Sequence, residues 1–115
     1  MAIEKGISTA MNNYAKMLKN GDGVEIDYQE SIKYFKMAIN KGNPPAMNNY
    51  ADMLKNGIGV DIDLKEACKY HKMAADKGFA PAMKNYARML LEGEGVSINK
   101  EEAENCFEKV FAEKK

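Results

Sequence analysis

Residues 46–81 read AMNNYADMLKNGIGVDIDLKEACKYHKMAADKGFAP, and the chain spells nearly the same thing on either side. Ala10 to Pro45 reads AMNNYAKMLKNGDGVEIDYQESIKYFKMAINKGNPP, and Ala82 onward reads AMKNYARMLLEGEGVSINKEEAENCFEKVFAEKK. The anchor alanines Ala10, Ala46 and Ala82 set a period of 36 residues without a gap. A period between about 20 and 50 residues is the mark of a solenoid or other repeat array.

Each unit holds two helical patterns. In the middle copy, Ala46, Met47, Tyr50, Ala51, Met53 and Leu54 are apolar, while Asn48, Asn49, Asp52 and Lys55 are polar. The apolar positions recur at spacings of three and four, which is one face of a helix and not an alternating strand. Gly57 follows where a left-handed C-terminal cap favours glycine. The turn is Gly-x-Gly-Val three times over, at Gly21–Val24, Gly57–Val60 and Gly93–Val96. Paired glycines permit positive φ and a tight reversal. The valine, with Ile26, Ile62 or Ile98 two residues on, is expected to plug the gap between the helices.

The second helix opens on a capping-box pattern: Asp27, Asp63 and Asn99 at the N-cap, then Glu30, Glu66 and Glu102 three residues later. In such a box the glutamate reaches back to the N-cap amide. Small residues at Ser31, Ala67, Ala103, Ala38 and Ala74 allow the two helices to approach closely. Gly42 and Gly78 end the second helix. Pro44, Pro45 and Pro81 lie where the next helix begins, a position that tolerates proline.

These residues resemble the Sel1-like repeat, a relative of the tetratricopeptide repeat. The resemblance rests on Ala-x-x-x-Tyr-Ala-x-x-Leu-x-x-Gly-x-Gly-Val, then Asp-x-x-Glu-Ala, then Tyr-x-x-Met-Ala-x-x-Lys-Gly, and it covers essentially the whole chain. The family usually has Leu-Gly where this chain has Tyr14-Ala15, Tyr50-Ala51 and Tyr86-Ala87, and Tyr where it has Leu18, Leu54 and Leu90. It often has Trp-Tyr in place of Tyr34-Phe35 and Tyr70-His71. The resemblance implies an all-α fold, a right-handed α/α solenoid of about three Sel1-like helix–turn–helix repeats. Helices are expected at about 10–20, 28–41, 46–56, 64–77, 82–92 and 100–113.

The 115 residues suit one domain. Lys+Arg and Asp+Glu both number 17, and this balance argues against nucleic acid or an anionic membrane as partner. No apolar run is long enough to span a bilayer, and no signal peptide is read at the start. Cys68 takes the place of Ile32, and Cys106 that of Tyr34 and Tyr70, so both read as apolar packing residues. One branch of the resembled family carries a disulfide in every repeat. Its absence here favours a reducing, cytoplasmic location.

Met1–Gly6 aligns with Met37–Gly42 and Met73–Gly78, so residues 1–9 read as the tail of a preceding repeat. Repeat 1 then spans 10–45, repeat 2 spans 46–81, and 82–115 is repeat 3 with a C-terminal cap. In that cap Met37 and Met73 become Lys109, Lys41 and Lys77 become Glu113, and Lys114 replaces the C-cap glycine. A capping repeat with a polar outer face is what an array needs at its end. The start shows no such device, so its edge is open to end-to-end self-association.

In the resembled arrays the first helices line a concave, ligand-holding surface. The matching positions are Asn12, Asn13 and Lys16; Asn48, Asn49 and Asp52; and Lys84, Asn85 and Arg88, with Lys19, Lys55 and Leu91 beside them. An asparagine ladder can hydrogen-bond an extended peptide backbone, and Lys16, Lys84 and Arg88 can hold a carboxylate or phosphate. The same asparagines can instead bond neighbouring helices. The methionines recur in phase and read as core.

Other chemistry finds little support. Gly-x-Gly follows a helix rather than a strand and lacks the Lys-Ser/Thr of a phosphate loop. Asp22, Glu25 and Asp27 occur together once only, too few for calcium. His71, the sole histidine, occupies the slot of Phe35 and Phe107 and reads as an inter-repeat packing or surface residue. Cys68 sits three residues before it, which suggests one shared face, but two groups do not make a zinc site. The expectation is a non-enzymatic adaptor or scaffold that binds a protein or peptide, with no catalytic residue, metal or cofactor. The alternative is a structural spacer, or an excised or idealised array, with no ligand of its own. A remoter one, from secreted relatives linked to β-lactams, is a β-lactam hydrolase, for which Ser97 and Lys100 have the spacing but lie in a turn.

Overall fold

A computed structural model describes residues 2–113, with side chains for 5–112. Among these residues there are six helices and no strand: α1 Ala2–Asn20, α2 Tyr28–Asn40, α3 Pro44–Asn56, α4 Leu64–Asp76, α5 Ala80–Glu92 and α6 Lys100–Glu113. Met1 and Lys114 lie outside the described residues. Each helix packs on the next along the chain, and α1 also touches α3. The extents are 42 × 34 × 22 Å and the radius of gyration is 14.5 Å. A compact domain of this size has a radius nearer 13 Å, so the excess reflects an array, here a solenoid of three helical pairs.

One predicted boundary differs by more than two residues. The first helix does not begin near residue 10; it runs as one segment from Ala2 through Gly6. Later copies break here because proline sits at the first turn of the next helix, at Pro44–Pro45 and Pro81. Ile7, Ser8 and Thr9 offer no such stop, so the helix continues through a glycine it can tolerate.

The core is a file of small and apolar side chains between paired helices. Ala15, Ala51 and Ala87 face Ser31, Ala67 and Ala103, and all are 0% exposed. Ser31 Oγ donates to the Ala15 carbonyl at 2.7 Å, which measures how close the helices come. Met47, Met53, Met83 and Met89 are buried, while Met17 and Met37 lie exposed on the first pair.

The turns depart from expectation in two ways. Ile26, Ile62 and Ile98 do not plug the core; they are 55%, 63% and 62% exposed and lie against Gly21, Gly57 and Gly93. Val60 and Val96 do pack against the core. The capping box forms only by half. Asp27, Asp63 and Asn99 each accept from the amide three residues on at 3.0 Å. Their own amides are taken, at 2.9 Å, by the carbonyls of Leu18, Leu54 and Leu90 at the end of the preceding helix. The glutamates are therefore free for other partners. Glu30 and Glu66 pair with Lys33 and Lys69 in solvent, and Glu102 accepts from Tyr86 Oη at 2.9 Å.

The second glycine of each turn has its own reason. Gly23, Gly59 and Gly95 have φ of 77°, 71° and 69°. A Cβ on Gly95 would collide with the Leu64 carbonyl at the start of α4, and one on Gly59 would collide with the Tyr28 side chain at the start of α2. Nothing stands near Gly23. The turn of each later repeat thus rests backbone-close on the helix start of the repeat before, and Gln29 Nε2 donates to the Gly59 carbonyl at 3.0 Å across the same seam.

Candidate functional site

The ladder asparagines bond one another. Asn49 Nδ2 on α3 donates to Asn12 Oδ1 on α1 at 3.0 Å, and Asn85 Nδ2 on α5 donates to Asn48 Oδ1 on α3 at 3.1 Å. Asn12 and Asn48 are buried, at 5% and 8% exposed, with their oxygens committed to the next repeat. Asn49 and Asn85 are half-buried, because each reaches back to the repeat before. Asn13 has no earlier repeat to reach among the described residues and is exposed. Of the charged positions, Lys16, Lys84 and Arg88 are exposed and Asp52 is half-buried. They lie within one helical turn of the ladder, since positions three and four apart share a face. The face on offer is therefore a row of first helices riveted by carboxamides, with the cations along it.

His71 belongs to this arrangement. Its side chain is 1% exposed, and Nδ1 lies 2.8 Å from Asn48 Oδ1. That oxygen is an acceptor, so the neutral ring donates from Nδ1. Nε2, which carries no hydrogen in that tautomer, lies 3.5 Å from Asp52 Oδ1, and no hydrogen bond or ion pair joins the neutral ring to that carboxylate. Burial, and secondarily Lys55, push the imidazole down to about 4, so it is neutral at pH 7. Burial raises the Asp52 carboxyl, against the opposing pull of Lys19 and Lys55. Lys55 also pairs with Glu94 of the next repeat at 3.7 Å. The histidine expected to fill a packing slot does so, and adds a polar link between α4 and α3 that Phe35 does not supply. Repeat comparison showed a histidine where the other two copies have phenylalanine, but its partner Asn48 is 23 residues away in sequence and only the fold brings them together.

His71 turns to Asn48 on α3, and no hydrogen bond joins it to Cys68 among the described residues. Burial, with Glu102 behind it and Lys72 opposing, raises the Cys68 thiol. Both cysteines are free, Cys68 buried and Cys106 half-buried. Ser97 and Lys100 are both exposed, and no hydrogen bond joins them. Among the described residues no group of three His, Cys, Asp or Glu side chains is placed to hold a metal ion. No helix among them is long and apolar enough to cross a membrane.

The comparisons with known proteins agree with this architecture. The model of the Sel1 repeat family matches residues 8–43, 44–79 and 80–109. No curated protein matches the chain. Among solved structures, a Sel1 repeat protein from Oxalobacter formigenes is 29% identical, covering 94% of this chain and 81% of its own, with a TM-score of 0.85. A protective antigen present in uropathogenic Escherichia coli strains, c5321, displays an SLR fold. It is also 29% identical over 99% of this chain, with a TM-score of 0.89, but this chain spans only 24% of it. Helicobacter pylori cysteine rich protein B shares the fold at a TM-score of 0.77, with 22% identity over 96% of this chain and 90% of its own.

Proposed function

This chain belongs to the Sel1 repeat family, whose members are often protein-interaction modules and generally non-enzymatic scaffolds, and on that premise we propose that it binds an extended acidic peptide segment along the first-helix face. One observation carries the reading: Asn13, Lys16, Lys84 and Arg88 stand exposed on helices that the Asn49–Asn12 and Asn85–Asn48 bonds hold side by side. The half-buried Asn49, Asn85 and Asp52 form the floor of that row. A row of pre-positioned cations recognises carboxylates with little ordering cost. Arg88 contributes the planar fork that suits a carboxylate. No catalysis, cofactor or nucleic acid enters this role.

The edge formed by α1 and α2 is a separate patch, on the side of α1 that turns toward α2. Tyr14 is 39% exposed, whereas its counterparts Tyr50 and Tyr86 are each 6% exposed. Ile7 and Met17 of the same helix are exposed as well. End-to-end stacking of copies would cover this patch.

The test is fluorescence anisotropy against a panel of acidic, neutral and basic peptides. Arg88→Ala, Lys84→Ala and Lys16→Ala are each expected to weaken an acidic ligand about two- to fivefold. Their effect should shrink at high salt. Equal binding by the wild type and every first-helix variant would reject this face. Failure of every acidic peptide to bind would reject the proposed ligand class.

A further inference from the structure

The first two repeats each close on an aromatic pair. Tyr34 stands edge-on to Tyr14, with centroids 5.0 Å apart at 75°. Tyr70 stands edge-on to Tyr50, at 5.2 Å and 65°. Tyr86 keeps the first place in repeat 3, but Cys106 stands where the second ring should be. Two neighbouring positions lose apolar bulk at the same seam. In repeats 1 and 2, Ile39, Met73 and Tyr70 are all half-buried and packed against the core. One period on they become Ala75, Lys109 and Cys106. A cleft of about 310 Å³ occupies the place of the missing groups, lined by Ala75, Tyr86, Glu102, Asn105, Cys106 and Lys109 among others. It lies between the second and third repeats, and none of the first-helix residues assigned to peptide binding lines it.

We propose that this cleft is a receptor for one tyrosine side chain supplied by another polypeptide. The sister repeats say what fits: they hold a tyrosine ring there, carried on a backbone, edge-on to the counterpart of Tyr86. Aromatic pairs favour that geometry and gain beyond the area they bury. The chemistry of the rim also changes. Lys33 and Lys69 lie 5.7 and 5.5 Å from the centres of the Tyr34 and Tyr70 rings. Asn105 stands in their register position. At that position the entering ring meets an amide instead of an ammonium; the charges of Asp76 and Lys109 also line the cleft, and the Tyr86 hydroxyl and Glu102 there are already joined by their 2.9 Å hydrogen bond. This site does not depend on the acidic-peptide reading.

The probe is N-acetyl-tyrosinamide, titrated into the full chain and followed by amide NMR shifts. Saturable shifts are expected at Tyr86, Asn105 and Cys106, with a Kd on the order of 1 mM, as befits a ligand of this size. N-acetyl-leucinamide should bind at least fivefold more weakly. Cys106→Tyr restores the sister pair, and Ala75→Ile fills the cleft from α4. Both variants should fold with unchanged or raised Tm and lose the shifts. Absence of saturable shifts in the wild type would overturn the proposal, as would equal binding of the leucine probe. So would shifts that persist in a folded Cys106→Tyr protein.

Discussion

The carboxamide oxygen of Asn48 lies 2.8 Å from His71 Nδ1 and 3.1 Å from Asn85 Nδ2, so one buried atom joins three helices. In the repeat before, Asn12 Oδ1 receives Asn49 alone, because Phe35 stands where His71 does. Asn48→Ala would leave two donors without an acceptor, one of them fully buried. The expected loss is about 2–3 kcal/mol, against about 1 kcal/mol for Asn12→Ala. Urea denaturation of the two variants side by side checks the difference.

Stability should fall in mild acid because of His71. Its pKa is lowered from 6.5 to about 4 on folding. The unfolded chain therefore takes up the proton first as pH falls. The neutral-ring contribution is complete above about pH 6.5 and is lost between there and pH 4. By pH 5 the loss is about 2 kcal/mol. Asp52 opposes it, since a carboxyl raised by burial is relieved when it protonates in the folded state. His71→Phe copies the Phe35 arrangement and should flatten the pH 5–7 profile while changing stability at pH 7 by less than about 1.5 kcal/mol. Thermal melts at pH 5, 6 and 7 decide it, and an unchanged slope in His71→Phe contradicts the assignment.

The glycines of the three turns should rank by what stands over them. All have positive φ, so alanine costs about 1 kcal/mol at each from backbone strain alone. At Gly23 nothing more is added. At Gly59 the Tyr28 Cβ, which moves only with its own backbone, must shift, and at Gly95 the backbone of Leu64 and Lys65 itself must shift further. The expected order of destabilisation is Gly23→Ala, then Gly59→Ala, then Gly95→Ala, the last exceeding the first by at least about 2 kcal/mol. Equal values would mean that the turn does not bear on the preceding repeat.

The half-formed capping boxes make a separate prediction. Asp63→Ala removes the acceptor of the Glu66 amide and should cost about 1 kcal/mol. Glu66→Ala removes only an exposed pair with Lys69 and should cost less than about 0.5 kcal/mol. Glu102→Ala should cost more than Glu66→Ala, because it strips the acceptor from Tyr86. Burial, with that hydrogen bond behind it, raises the Tyr86 phenol. Chemical denaturation of the three variants provides the comparison.

Local order set almost every helix by itself. The 3.6-residue apolar spacing, the N-cap aspartates and the glycine turns are short-range signals, and a 36-residue period repeated them until the solenoid was legible. The exception, α1, ran longer than expected because Ile7–Thr9 lack the prolines that break the later copies. What required the tertiary structure was every choice between partners of similar chemistry. A polar residue on a helix reads the same whether it faces water or the next repeat. Only the spacing between α1, α3 and α5 shows Asn12 and Asn48 bonded across the seam and Asn13 left exposed. Likewise the capping glutamates lost their expected amides to Leu18, Leu54 and Leu90, carbonyls nine residues upstream that the turn brings within reach. Sequence also shows cysteine at 106 where tyrosine stands twice, but whether neighbours close over the gap is a matter of packing. There the flanking Ala75 and Lys109 are too small or too polar to fill it, so the space remains.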